Sequence, residues 1–450
     1  MAEDNTEQLR RWDREHVWHA FTQMAEYQLF LIERANGCTL IDVDGREYLD
    51  GVSSLWCNVH GHRQPRLDAA LQEQLQRVAH VTSLGMSNPT SIRLAKRLVD
   101  ITPTGLEHVF FSSDGSSAIE VALKMAFQYW QQRDDPRTEK TTYLAFGNAY
   151  HGDTLGSVSV GGVSRFHEMF GPLLFDVIRV PSPDSYRLPD GSTPETACDD
   201  YLQGLESVLR QHADRIAALI IEPLMQGAAG MVKHPSGFLA GVRRLTRKYE
   251  VLMIADEVAV GFGRTGTMFA CEQEDVDPDL LCLGKGISGG YLPLSATLAT
   301  TEIWNAFLGT YDDSKTLFHG HTYGGNPLAA AVGLASLDLF QEESVLDRLT
   351  STIDQLSKHG ERIARHPHVG DVRQCGMIVG IELVQDRASK TSFPWSERRG
   401  KLVCDFALGE GVWVRPLGDV IVIMPPLSIK PAELDRICLA VEAGIQHVCP

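Results

Sequence analysis

The sequence predicts an α/β fold: a large domain on a mainly parallel sheet over roughly residues 65–325, and a small α/β domain assembled from both chain ends. Three observations point there. Ile216–Ile221 is an unbroken apolar run, a loop with Gly227 and Gly230 follows, and the helical pattern Phe238–Tyr249 returns the chain to Val251. Strand, helix and strand at that spacing form a crossover, which makes the neighbouring strands parallel. Val251–Ala255 and Leu280–Leu283 are short apolar runs that lead to Asp256 and Lys285, polar residues at the edge where parallel sheets hold their ligands. The strand His108–Phe111 passes through the small-residue turn Ser112–Ser117 into a helix whose apolar positions Ala118, Ala122, Met125 and Tyr129 share one face.

From the N-terminus, residues 1–30 carry Trp12, Trp18, Phe21, Tyr27 and Phe30, an aromatic density that predicts packing against a surface. Gly37–Asp50 alternates apolar and polar about Asp44-Gly45 and predicts a hairpin that delivers the segment Gly51–His62. His60-Gly61-His62 has no third ligand at metal-site spacing, so no metal is assigned. Helical spacing predicts helices over 65–80 and 88–101, and Thr142–Phe146 predicts a strand that ends in the turn Gly147–Asp153. Pro, Ser and Asp between Pro181 and Asp200 predict a surface excursion. Beyond Gly290 come the segment Leu294–Ala299, the breaker Gly324-Gly325-Asn326-Pro327, and a long helix Leu328–Phe340 leading out of the large domain. After residue 340 the pattern predicts helices near Val345–His359 and Lys401–Gly409, strands near Val369–Leu383, one β segment Val412–Pro416 and a strand Val420–Met424. The chain is thus divided into 1–64, an N-terminal segment joining the small domain, 65–325, the large domain, and 326–450, the C-terminal small domain.

Composition narrows the class of function. With 43% hydrophobic and 22% charged residues the chain has material for a sizeable core. Its 41 basic against 58 acidic residues give a net charge of −17, which repels nucleic acid and anionic membranes. The N-terminus is charged and lacks the apolar core of a signal peptide, and no apolar run is long enough to span a bilayer, so a cytoplasmic protein is expected. Nine scattered cysteines without a CxxC pair predict free thiols and no zinc framework.

The chemistry centres on Lys285. Between Gly284 and Gly286 at the end of a buried strand it is partly desolvated, which lowers an amine's pKa until it can attack an aldehyde and form a Schiff base. Asp256, at the tip of a neighbouring strand, is the partner that keeps a pyridine nitrogen protonated. Taken singly, Gly-Lys-Gly is a turn with a solvated lysine and Asp-Glu after a strand is a cap. Together and in this order they predict a pyridoxal phosphate enzyme. That cofactor needs a phosphate anchor, and the N–H groups of Gly115 and Ser116 at the positive end of a helix provide one. Ser117 with Glu120 also fits an ordinary capping box, and both readings hold at once. Tyr150 either stacks on a pyridine ring or simply packs. Arg415 is either a carboxylate clamp or one half of a surface salt bridge. Gly261–Gly266 spells the dinucleotide fingerprint GxGxxG but leads into no helical stripe, so it is read as a flexible loop. The competing class, a nicotinamide oxidoreductase, rests on that loop. Lys285 is not a phosphate-loop lysine, since Asp279 stands where such a loop has its first glycine and Gly286 where it has Ser or Thr.

The motifs GS at a helix start, AYHGD, IIEP, IADEVAVGFGRTG, LGKGISGG and HTYGGNPLA, in this order, resemble the class III, fold-type I pyridoxal phosphate aminotransferases over nearly the whole chain. WHAFTQM, LWCNVHGH, ALKMAFQYW and RPLGDVIVIMPPL are similar to the biotin-pathway branch of that family, the 8-amino-7-oxononanoate aminotransferases. The resemblance implies a seven-stranded-type sheet in the large domain and pyridoxal 5′-phosphate as cofactor. It makes Lys285 the residue that carries the cofactor and moves the proton, and Asp256 the ring-nitrogen partner. Gly115 and Ser116 become the phosphate cup, Tyr150 the stacking residue, and Glu222 a further cofactor contact. Thr322 would reach the phosphate in a neighbouring subunit, which implies a homodimer with the active site at the interface. Arg415 would bind the keto acid's carboxylate and Gly320 would line the channel, with Phe21, Leu55 and Trp56 at the donor site. The implied reaction is a ping-pong amination of 8-amino-7-oxononanoate to 7,8-diaminononanoate, with S-adenosylmethionine as donor.

The sequence departs from the family pattern in two places. The phosphate turn reads Ser113-Asp114-Gly115 where the family usually has Asp-Ser-Gly. Phe21 and Leu55 stand where adenosylmethionine-using members have Tyr and Trp, which removes a hydroxyl and an indole from the donor site and makes L-lysine the alternative donor. An ω-amino acid or diamine:pyruvate aminotransferase would share every cofactor residue.

Overall fold

The computed structural model describes residues 5–450. Near the start, β1 (Ile32–Asn36), β2 (Thr39–Asp42) and β3 (Glu47–Asp50) form an antiparallel ribbon. Asp42 closes the predicted hairpin, its carboxylate accepting from the N–H groups of Asp44 and Arg46 at 3.0 and 2.9 Å. Gly45 takes φ +79°, a conformation open to a residue without Cβ.

The large sheet is built from β4 (Leu106–Ser112), β5 (Thr142–Phe146), β6 (Val177–Val180) and β7 (Ile216–Ile221). After the short pair β8 (Met225–Gln226) and β9 (Val232–Lys233) it is completed by β10 (Leu252–Asp256), β11 (Leu280–Leu283) and β12 (Ser295–Thr300). The order is β4-β12-β11-β10-β7-β5-β6. β12 runs antiparallel to both neighbours and the other pairs are parallel, so the sheet is seven-stranded and mainly parallel, as predicted. Every residue of β7, β10 and β11 is buried, which is why these strands are continuous apolar runs rather than alternating ones. Ile220, Ile254, Leu280 and Cys282 face the helix Gly115–Gln132, while Leu219, Ile221 and Met253 share a core with the helix Phe238–Lys248. Helices on both faces leave only the strand ends open to a ligand.

The helix predicted over 65–80 spans Pro65–Leu75. Gln74 ends it, its carbonyl accepting from the N–H groups of Arg77 and Val78 and its side chain donating to the Val78 carbonyl at 3.0 Å. The long helix Pro327–Glu342 starts where Asn326 Oδ1 accepts from the N–H groups of Leu328 and Ala329. It packs on the helices Pro65–Leu75 and Pro89–Ile101.

A second sheet, β13 (Val369–Cys375), β14 (Ile378–Leu383), β17 (Val420–Ile423) and β16 (Arg415–Leu417) in that order, is antiparallel throughout. The predicted single segment Val412–Pro416 divides. β15 (Val412–Trp413) pairs in parallel with β3, and the chain then crosses to β16 on the edge of the second sheet. Pro416 lacks a donor N–H and is at home on an edge strand. This crossing joins the two ends of the chain. Phe30 seals the junction, its ring 4.8 Å from Tyr48 and 6.1 Å from Trp413, whereas Trp18 stays 89% exposed. Among the described residues no helix is long and apolar enough to cross a membrane, and no group of three or more His, Cys, Asp or Glu is arranged around a metal site. The nine cysteines are free.

Candidate active site

Asp256 is the last residue of β10, and the parallel register aligns it with Cys282 of β11, three residues before Lys285. The two candidate groups therefore leave the sheet at the same edge. Lys285 opens a short 3-10 turn, Lys285–Ser288, with φ +42°. Burial lowers the pKa of its amine, opposed by the negative charges of Asp256 and Glu222. Its Nζ lies 5.4 Å from the centroid of the Trp56 ring.

Asp256 is held at both oxygens. Oδ1 accepts the Val258 N–H at 3.0 Å, and Oδ2 lies 2.7 Å from His151 Nδ1. His151 Nε2 is buried without a partner among the described residues, so Nδ1 is the ring nitrogen that anchors the residue. Sequence reasoning missed His151. Its signal was its place beside Tyr150 in AYHGD.

Glu222 follows β7 and is fully enclosed. Oε1 accepts the Tyr150 N–H at 2.9 Å and Oε2 the Gly227 N–H at 2.8 Å. Burial pushes its carboxyl up to about 7, with His151 acting against the shift and Asp256 adding to it. The Tyr150 hydroxyl donates to Asp153 Oδ2 at 2.6 Å, and burial together with that bond raises the phenol.

The helix N-terminus at residue 115 is capped by Asp114 rather than by Ser117. Asp114 Oδ1 accepts the Ser117 N–H and Oδ2 the Ser117 hydroxyl, each at 2.9 Å. The expected Ser117–Glu120 box does not form, because Glu120 instead accepts from Thr154 Oγ1 at 2.5 Å, Gly156 N–H at 2.8 Å and Ser157 N–H at 3.2 Å. The reordered turn thus uses its aspartate as the cap. With the Ser117 and Ala118 N–H groups taken by Asp114, helix geometry leaves those of Gly115 and Ser116 open to an anion. Ser116 Oγ accepts the Asp153 N–H at 3.2 Å and keeps its own proton to donate. A Cβ at Gly115 would stand 2.6 Å from Val258 Cγ1, and one at Gly284 3.1 Å from the same atom. A helix start with open donors, a buried carboxylate with spare lone pairs, a desolvated amine and a floor without Cβ atoms fit the phosphate, ring nitrogen and aldehyde of pyridoxal phosphate.

Leu55 and Trp56 end the turn Ser53–Trp56, whose four φ values are all positive. A non-glycine residue in that region costs on the order of 1 kcal/mol or more, so this segment is strained. Phe21 lies 5.2 Å from Phe166, which lies 6.1 Å from Tyr150. Phe21 and Arg415 both line a cavity of about 820 Å³ between the N-terminal segment and the second sheet. Arg415 is exposed at the start of β16, and among the described residues it pairs with no carboxylate, so the surface salt bridge is not formed. Gly320 and Thr322 sit apart, in an exposed loop tied to the helix Gly115–Gln132 by Lys124 Nζ and His319 Nδ1 at 3.1 Å. The single chain brings neither to the Lys285 cluster by a hydrogen bond among the described residues.

The loop Gly261–Gly266 is buried, not flexible. Phe262 and Arg264 are each 1% exposed, and Arg264 donates to the carbonyls of Pro425 and Asn58 at 2.7 and 3.0 Å. Gly263 at φ +83° lets it turn against Leu427. Only the 3-10 turn Ala270–Glu274 follows, so the helix that a dinucleotide fingerprint requires is missing.

The Aminotransferase class-III family model matches residues 21–445. The adenosylmethionine-8-amino-7-oxononanoate aminotransferase of Geobacter sulfurreducens is 51% identical over 452 residues, covering 100% of this chain and 99% of the relative. The protein of the same name from Nitratidesulfovibrio vulgaris is 53% identical over 447 residues, covering 99% and 82%. Among solved structures, the adenosylmethionine-8-amino-7-oxononanoate aminotransferase of Methanocaldococcus jannaschii matches with TM-score 0.93 at 42% identity, covering 98% of this chain and 99% of that one. An (S)-enantioselective omega-transaminase from Thermomicrobium roseum matches with TM-score 0.94 at 35% identity, covering 99% of each. With the motifs in sequence order and the family model spanning most of its length, the chain belongs to the class III aminotransferases.

Proposed function

We propose that the chain transfers an amino group to 8-amino-7-oxononanoate, forming 7,8-diaminononanoate, with S-adenosylmethionine as donor and pyridoxal 5′-phosphate as resident cofactor. The observation that carries the chemistry is the buried amine of Lys285 at the same sheet edge as the clamped carboxylate of Asp256. The relatives that bear the name of this activity support the choice of acceptor and donor.

When bound, the cofactor supplies an electron sink that allows the C–H bond beside the substrate nitrogen to break. The protein's residues do the rest. Gly115 and Ser116 bind the phosphate through backbone N–H groups and the Ser116 hydroxyl. Asp256, fixed by His151 and Val258, holds a proton on the ring nitrogen by its charge. Lys285, whose amine burial makes easier to deprotonate, takes up and returns a proton at Nζ. Glu222 fixes the backbone of Tyr150 and so the plane of its ring. Arg415 binds the acceptor's carboxylate, with no carboxylate among the described residues competing for its guanidinium.

The reading includes a homodimer. Gly320 and Thr322 lie beside exposed aromatic residues, Phe318 at 81% and Tyr323 at 64%, which a second copy would cover while lending Thr322 to the phosphate. It also keeps the division into 1–64, 65–325 and 326–450, and the cytoplasm as compartment, to which nine free thiols are suited.

A second donor, L-lysine, is favoured by Phe21 and Leu55, which offer neither hydroxyl nor indole to a sulfonium. The test is direct. Protein purified with pyridoxal phosphate is given the keto acid and one donor at a time, and the diamine is quantified. Diamine from S-adenosylmethionine is expected. Diamine from lysine alone selects the second reading, and none from either overturns both.

A further inference from the structure

Ser53, Ser54, Leu55 and Trp56 have φ of +53°, +49°, +78° and +69°, one turn of left-handed helix without a glycine. Such a turn persists only where its surroundings over-determine it. Two buried charged side chains, Asp50 and Arg264, do so here.

Asp50 grips the entry. It is fully buried, and its Oδ1 accepts the N–H groups of Ser54 and Val52 at 3.0 and 3.3 Å. Its Oδ2 accepts the Ser54 hydroxyl at 2.8 Å and meets His62 Nε2 at 3.0 Å. Arg264 grips the exit, donating to the carbonyls of Trp56 and Asn58 at 3.4 and 3.0 Å and of Pro425 at 2.7 Å. Its Nε is buried without a partner among the described residues. A buried guanidinium whose acceptors are carbonyls holds those carbonyls in place, because moving one away would leave part of its charge without an acceptor. The hydroxyl of Ser53 adds a bond to the Met424 carbonyl at 2.7 Å.

We infer that Asp50 and Arg264 are positioning residues: by holding residues 53–56 left-handed they set the Trp56 indole against the Lys285 amine and fix the side from which a donor amine approaches. The inference rests on the reading of Lys285 as the reactive amine. Nζ sits 5.4 Å from the indole centroid, and Leu55, on the same turn, is 47% exposed. Reversing φ at four residues redirects both side chains, so the turn's hand and the donor face are one property.

The experiment uses full-length protein reconstituted with pyridoxal phosphate. Absorbance of the bound cofactor, donor KM, kcat and Tm are measured for Asp50→Ala, Arg264→Lys and the milder Ser54→Ala, which loses only the hydroxyl bonds. The expected result is a retained visible band, a donor KM raised about tenfold in Asp50→Ala and severalfold in Ser54→Ala, and kcat within about threefold. Adding Ser54→Gly to Asp50→Ala should recover part of the KM, because glycine takes positive φ without strain. If Tm falls while donor KM stays within twofold in every folded variant, the turn is a brace for the fold alone and the inference is overturned. Ser54→Ala decides the matter where Asp50→Ala fails to fold. Absence of the visible band in the unsubstituted protein overturns the Lys285 reading, is seen before any variant is made, and takes this inference with it.

Discussion

His151 Nδ1 lies 2.7 Å from Asp256 Oδ2, with the histidine side chain fully buried and the aspartate side chain 5% exposed. A carboxylate held by a ring N–H on one oxygen and a backbone N–H on the other cannot rotate away from the sheet edge, and it keeps lone pairs for a cationic ring nitrogen.

Asp256→Asn preserves the shape of this clamp and removes its charge. Transamination should fall by roughly a hundredfold or more, in the range found for removing a single preorganised electrostatic partner. His151→Gln should cost less, about tenfold, because Asp256 remains charged and only its orientation loosens. Steady-state kinetics of the two variants rank them. A larger loss in His151→Gln than in Asp256→Asn would mean that the histidine, not the aspartate, meets the ligand.

Gly115 and Gly284 share Val258 as their ceiling, so Gly115→Ala forces a Cβ to 2.6 Å from Val258 Cγ1. Overpacking of this kind costs about 1–3 kcal/mol. Val258→Ala in the same chain should return most of that, a coupling that a double-mutant cycle in urea detects. Additive effects would show that the strain is not borne by Val258.

Much of this was legible from residue order. The continuous runs Ile216–Ile221 and Leu280–Leu283 coincide with buried strands because sheets covered on both faces select apolar residues at every position. Lys285 and Asp256 were legible because each terminates such a run. What was not legible depended on tertiary contacts. Glu120 serves residues 154–157 rather than its own helix cap, and this hangs on a loop more than thirty residues away. The Gly261–Gly266 loop is pinned by carbonyls that Arg264 finds at Asn58 and Pro425, far off in sequence. His151 and Asp50 were ordinary residues in a string until their partners were brought to them.

Glu222 makes stability depend on pH. Burial raises its carboxyl from the ordinary 4.5 to about 7, so between those values the folded chain keeps a proton that the unfolded chain has lost. Its contribution is present below about pH 4.5 and lost as pH rises toward 7. At about 1.4 kcal/mol per unit the full effect is on the order of 3 kcal/mol. Glu222→Gln removes the titration, so the stability difference, parent minus variant, should shrink across that window and level off above it. Chemical denaturation at a series of pH values measures this. A difference independent of pH would place the Glu222 carboxyl in its ordinary range.

His234 should act in the opposite sense. It is buried with both ring nitrogens unpartnered among the described residues, its ring 5.7 Å from that of Phe238, and burial lowers its pKa from 6.5 to about 3. A base with a depressed folded pKa contributes stability above its unfolded value that is lost as pH falls toward the folded one. His60, lowered to about 4 by burial, adds to the same acid limb, so the variant must be compared with its parent rather than taken alone. His234→Leu has similar volume and removes two unsatisfied polar atoms. It should raise stability at neutral pH by about 1 kcal/mol, and by more near pH 4.5, where the parent also suffers the cost of keeping the ring neutral. The measurement is urea unfolding of both proteins at pH 7.5 and 4.5. A variant less stable than its parent at pH 7.5 would mean that the imidazole is hydrogen-bonded in solution, through an ordered water, and that the site is satisfied after all.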